Sequence, residues 1–112
     1  MYERGIIVEK SPEDAAEWCR RAAEQGNLQA QYRMGVLYYF GIGVKQSFEE
    51  SAKWSKLAAE RGHRGAQVDI GILYDLGDGV EQSTEEAMKW FRRAADQGSA
   101  YAMYKMGRTY ES

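Results

Sequence analysis

Apolar residues along this chain return at helical spacing in two alternating stripes. In one, Ala30, Met34 and Tyr38 stand four apart, and the same spacing returns as Ala66, Ile70, Tyr74 and as Ala102, Met106, Tyr110. Four-residue steps place such side chains along one face of a helix. In the other stripe Ala15, Trp18 and Ala22, flanked by Cys19 and Ala23, are matched by Ala87, Trp90 and Ala94, flanked by Phe91 and Ala95. Small residues there let helices approach, and the indole fills the remaining space. Polar residues punctuate both stripes. Ser11-Pro-Glu-Asp14, Ser47-Phe-Glu-Glu50 and Ser83-Thr-Glu-Glu86 fit a capping box, a serine oxygen for a free helix amide and a carboxylate for the positive end of the dipole. Pro12 takes the first helical position, where its missing amide proton costs nothing. Gly26, Gly62 and Gly98 stand where a left-handed residue ends a helix, while Gly41-Ile-Gly43-Val44 and Gly77-Asp-Gly79-Val80 supply turns. The pattern predicts helices at 12–25, 28–40, 48–61, 64–76, 84–97 and 99–111, and no strand.

The whole pattern repeats. Trp18, Trp54 and Trp90 are spaced 36 residues apart, and residues 11–40 laid over 83–112 agree at 15 of 30 positions. A period of this length marks a solenoid. The unit reads Ala-x-x-x-(Leu/Met/Ile)-Gly-x-x-Tyr-x-x-Gly-x-Gly-Val, then Ala-x-x-Trp-x-x-x-Ala-Ala-x-x-Gly. It resembles the Sel1-like repeat, a relative of the tetratricopeptide repeat, over nearly the whole chain. That resemblance implies an all-α fold, a right-handed α/α superhelix of antiparallel helix pairs that scaffolds protein complexes. The expected organisation is one array over 1–112: a partial repeat at 1–10, registers at 11–46 and 47–82, and an incomplete one at 83–112. Departures from the family pattern are few. Ser51 replaces the usual alanine, serine stands where members often have aspartate before the Trp helix, and Ile7 replaces the second glycine in Tyr2-x-x-Gly5-x-Ile7-Val8. Trp54, the middle indole, is expected to be largely buried, more so than the outer two.

Composition narrows the chemistry. The 112 residues are 44% hydrophobic and 29% charged with a formal net charge of −2, so the strong positive field that nucleic-acid binding draws on is missing and no nucleic-acid partner is expected. No apolar run is long enough to span a bilayer, so no membrane insertion is expected, and residues 1–10 lack a basic stretch followed by an apolar one. One cysteine, Cys19, cannot form an internal disulfide, which fits a reducing compartment. The last helix ends without its next turn and Trp helix, leaving Met103, Met106 and Tyr110 uncovered. Self-association through this end, or a place in a longer array, is the expectation.

Catalytic chemistry has little to build on. His63 follows the Gly62 stop and reads as a polar turn residue, and Cys19, aligned with Ser55 and Phe91, as a half-buried hydrophobe. The Gly-x-Gly pairs are turns, since no strand precedes them and no Lys-Ser/Thr follows. Asp75, Asp78 and Glu81 lack the twelve-residue calcium pattern. No cofactor and no metal are expected. Secreted relatives linked to penicillin binding carry paired cysteines, and this chain has none. The resemblance implies binding on the concave surface lined by the Gly-x-x-Tyr helices, whose variable positions include Phe40, Asp69, Leu76 and Lys105. The expected contact set is Gln29, Tyr32, Val36, Tyr39, Val68, Ile72, Asp75, Tyr101, Tyr104 and Arg108. Tyr39 stands out because it lies about 100° around the helix from structural Tyr38. Tyr32 and Tyr104 share a register that equally suits packing between helices. A non-catalytic adaptor that binds a protein or peptide is the resulting function. The alternatives are a hydrolase using Asp69 and Asp75, or a structural piece of a longer repeat protein.

Overall fold

A computed structural model describes residues 11–111, and side chains through residue 108. The partial repeat at 1–10 and the side chain of Tyr110 lie outside the described residues. Within them the chain forms six helices: α1 (Pro12–Glu24), α2 (Leu28–Phe40), α3 (Phe48–Glu60), α4 (Arg64–Leu76), α5 (Thr84–Asp96) and α6 (Ala100–Glu111), with no strand. Each helix packs on its neighbours in chain order. The radius of gyration, 16.0 Å over extents of 57 × 26 × 24 Å, exceeds the roughly 13 Å of a compact domain this size. It is an α-solenoid of antiparallel pairs.

The serine caps form as the sequence implies. Ser11, Ser47 and Ser83 accept the amides of Asp14, Glu50 and Glu86, each at 3.1 Å. Helix ends differ slightly from the expected ones. Gln25, Arg61 and Gln97 have already left helical geometry, with ψ of 4°, 4° and 9°, so α1, α3 and α5 stop one residue early. Ser99 acts as a cap, accepting the Ala102 amide at 3.1 Å, so α6 begins one residue late. His63 corrects a sequence expectation more fully. It is the cap of α4, its Nδ1 accepting the Ala66 amide at 3.1 Å, where the neighbouring repeats use Asn27 and Ser99.

Two glycine registers set how closely the units stack. A Cβ on Gly71 would stand 2.7 Å from the Phe91 ring, and one on Gly35 would stand 2.5 Å from Ser55 Oγ, so each Gly-x-x-Tyr helix meets the next helix almost backbone to side chain. At Gly79, φ is +76° and a Cβ would overlap the Phe48 carbonyl. That position requires glycine both for conformation and for space. A buried polar buckle accompanies this packing. Gln31 Nε2 donates to the Ala23 carbonyl at 3.2 Å, and Arg61 from the next repeat donates to Gln31 Oε1 at 3.2 Å and to the Gly26 carbonyl at 2.7 Å. Gln67 and Gln97 repeat the arrangement one unit on, at 3.2 Å to Ala59 and 2.9 Å between the two amides.

The tryptophans do not follow the expected order. Trp90 is the buried one, 3% exposed in a cluster with Ala52, Ala58, Ala59, Ala66, Ile70 and Leu73, and Arg93 lies over its ring at 4.6 Å. Trp54 is half-buried against the Ala23, Ala30 and Met34 cluster, and the register that covers Trp90 with Arg93 holds Leu57, itself 42% exposed. Trp18 is 62% exposed. Each indole packs on the hairpin before it, and among the described residues none precedes α1. For the same reason Ala16 and Ala23, not Ala15 and Ala22, are the buried residues of α1. Trp90→Ala should therefore cost about 3–5 kcal/mol, whereas Trp18→Ala should stay within about 0.5 kcal/mol of the parent. Urea midpoints of the two variants check this ordering.

Candidate partner-binding groove

Helices α2 and α4 touch directly although they are not consecutive. At their seam lies a cavity of about 200 Å³ lined by Gly35, Val36, Tyr39 and Phe40 of α2, Ser51 of α3, and Asp69, Ile72 and Leu73 of α4. Ser51, the departure from the repeat pattern, is satisfied there: its hydroxyl donates to the Gly35 carbonyl at 2.8 Å. Phe40 stands 63% exposed at the rim. Asp69 is the only acid in this mostly apolar lining, and burial pushes its carboxyl from 3.8 to about 6. Its charge also acts on Tyr32, whose phenol is raised, first by burial and then by Asp69.

The expected contact residues divide into groups. Val36, Tyr39 and Ile72 meet at the cavity. Tyr39 is half-buried, packs on Phe48 with ring centroids 5.1 Å apart and touches the central cluster, so it is partly a packing residue and its truncation will not be silent for stability. Gln29 and Tyr32 are engaged within the fold: Tyr32 stacks on His63 at 4.4 Å and 17°, and His63 Nε2 lies 3.0 Å from Gln29 Oε1. Because Nδ1 accepts the Ala66 amide, Nε2 carries the proton and donates to Gln29. Val68 packs against the Ala87, Phe91 and Ala94 cluster. Asp75 pairs with Lys105 at 3.3 Å. Tyr101, Tyr104 and Arg108 sit exposed on α6 and do not line the cavity. Tyr104 is 57% exposed, in the register where Tyr32 is covered by the His63 ring. Asp69 and Phe40, outside the selected set, turn out to be cavity residues. Their signal was legible, because both vary across the repeats: Arg33, Asp69 and Lys105 in one register, Phe40 and Leu76 in the other.

The chemistry near the groove is sparse. Cys19 Sγ lies 3.4 Å from the Ala30 carbonyl and burial pushes its thiol up, which disfavours the thiolate. Among the described residues no group of three or more His, Cys, Asp or Glu is placed to hold a metal, and no helix is long and apolar enough to cross a membrane. The two carboxylates considered for hydrolysis part company, Asp69 in the cavity and Asp75 in an ion pair.

A stack of helical hairpins with a seam between two of its Gly-x-x-Tyr helices defines an α-solenoid repeat protein. The Sel1 repeat pattern matches residues 1–27, 28–63, 65–99 and 100–112, and the chain belongs to the Sel1 repeat family. These matches cut the period inside the hairpin, a different phase of the same repeat. Two solved structures are similar at 38% identity: a protective antigen of uropathogenic Escherichia coli with an SLR fold, at a TM-score of 0.90 over 97% of this chain, and a Sel1 repeat protein from Oxalobacter formigenes, at 0.89 over 99%. The chain spans 23% of the first and 46% of the second. Helicobacter pylori cysteine rich protein B matches at 21% identity and a TM-score of 0.78, over 84% of this chain and 71% of that one, and shows the fold alone. No curated protein matches the sequence. Sel1 repeat proteins are generally non-catalytic scaffolds for protein interaction.

Two titrating groups yield opposite pH dependences. Burial holds His63 below its ordinary 6.5, and protonation of Nδ1 would break the cap. The unfolded chain therefore takes up protons first, so this stability is whole above about 6.5 and is lost as pH falls through the depressed folded value. His63→Asn, which keeps a capping oxygen, should lose less stability on acidification than the parent in urea melts. Asp69 runs the other way, because its folded value of about 6 lies above 3.8. Its favourable contribution is full below 3.8 and is lost as pH rises through about 6. Asp69→Asn should thus stabilise the neutral-pH protein by on the order of 1–2 kcal/mol, discounted for partial exposure, and give no gain in acid.

Proposed function

We propose that this array is a non-catalytic adaptor that holds a segment of a partner protein along the inner seam of α2 and α4. The observation that carries the reading is the cavity at the seam, apolar and open beside the exposed Phe40. The variable registers of the repeat converge there while the packing residues recur. Variation in a repeat protein concentrates on positions freed from holding the stack, and the seam offers aromatic and aliphatic area of the kind that anchors interfaces. Support also comes from the general role of Sel1 repeats as interaction scaffolds. Gln29 and Tyr32 are tied to His63, so the contact set centres on Val36, Tyr39, Phe40, Asp69 and Ile72, with Asp75 at its edge. Tyr101, Tyr104 and Arg108 extend it along α6 if the segment is long.

Peptides selected from a random library on the immobilised chain test this reading. Phe40→Ala should weaken their binding by on the order of 1–2 kcal/mol with an unchanged melting temperature, since Phe40 is mostly exposed. Lys56→Ala, on the exposed side of α3, should leave binding unchanged. Peptides that ignore Phe40→Ala would place recognition on another surface and overturn the assignment.

A further inference from the structure

The seam recurs one repeat further on, and the comparison is informative. The positions of Tyr39 and Asp69 at the first seam correspond to Asp75 and Lys105 at the second. There the two side chains form an ion pair at 3.3 Å, so the geometry of the repeat brings these two registers within reach of each other. At the first seam the acid occupies the register of the base, and the register of its partner holds a tyrosine. Among the described residues no hydrogen bond or ion pair reaches the Asp69 carboxylate. The fold thus holds a carboxylate in a mostly apolar cavity and, at this seam, withholds the counter-charge that the next repeat supplies from within.

Resting on the reading of the seam as a peptide groove, we propose that the cavity is an anchor site for one basic side chain, lysine or arginine, of the bound segment, with Asp69 as its counter-charge. The shape fits that chemistry. A cavity of about 200 Å³ is below the range of small-molecule sites and suits a single side chain. Lysine and arginine carry a hydrocarbon stem that can lie against Val36, Phe40 and Ile72, with a cationic tip that reaches the acid. A purely aliphatic anchor would fill the walls but leave the carboxylate desolvated and unpaired, the costlier arrangement. An acidic anchor would meet like charge.

The test uses peptides selected on the intact chain. They should share a lysine or arginine at one position, and replacing it with norleucine or citrulline, which keep much of the stem and remove the charge, should weaken binding on the order of tenfold or more. On Asp69→Asn, which relieves an unpaired charge and is expected to fold, the same replacement should leave affinity unchanged. Peptides that are sensitive to Phe40→Ala yet carry no shared basic residue would overturn the anchor while leaving the groove standing. So would a basic residue whose replacement costs as much on Asp69→Asn as on the parent. Peptides indifferent to Phe40→Ala would overturn the groove and the anchor together.

Discussion

The close approach between each Gly-x-x-Tyr helix and the helix that follows it is the contact on which the rest of the array depends. A glycine faces Ser55 at one junction and the Phe91 ring at the next, with no room for a methyl group at either. That spacing lets the following indole reach the hairpin beneath it, and it brings Gln31 and Gln67 close enough to bridge consecutive repeats. Buried amides of this kind are tolerable only when satisfied, and here each both donates to a helix-terminal carbonyl and accepts from the next repeat. The junction is therefore apolar at its centre and pinned in register by polar groups at its edge. A solenoid built this way draws stability from neighbour contacts, which explains why identical tryptophans differ so much in burial along the chain.

The same repeat that fixes the junctions leaves other registers free to differ, and the difference is chemical. Two acids, Asp69 and Asp75, occupy neighbouring seams with opposite fates, one desolvated in a cavity and the other neutralised by Lys105. Tyr32 and Tyr104 differ likewise, because only the former has His63 stacked on it. The environment of a side chain in such an array depends on the identity of its own repeat and of the next one. His63 illustrates the coupling from another direction, serving at once as the cap of α4 and as a ring and hydrogen-bond donor for residues of α2.

Membership of the Sel1 repeat family accounts for the stack, and members of that family are generally scaffolds for protein interaction. The similar solved proteins are considerably longer than this chain, and their agreement concerns the repeat geometry, while Ser51, Phe40 and Asp69 of this array stand around one cavity.

The period, the serine caps, the stop glycines and the two stripes determined the six helices and their order from sequence alone, because capping and helical periodicity are local and act within a few residues of chain. The candidate site was only partly legible. The variable registers included Val36, Tyr39 and Ile72, which the fold gathers at one cavity, yet the reading favoured Gln29 and Tyr32, which His63 occupies, and left Asp69 and Phe40 out of the selected set. It also ranked the tryptophans wrongly, placing Trp54 above Trp90. These outcomes were decided by which helix lies on which across the repeat junctions, a relation between residues some thirty positions apart. Periodicity states that two positions are equivalent. Only packing decides whether a neighbouring repeat covers them, pairs them or leaves them open.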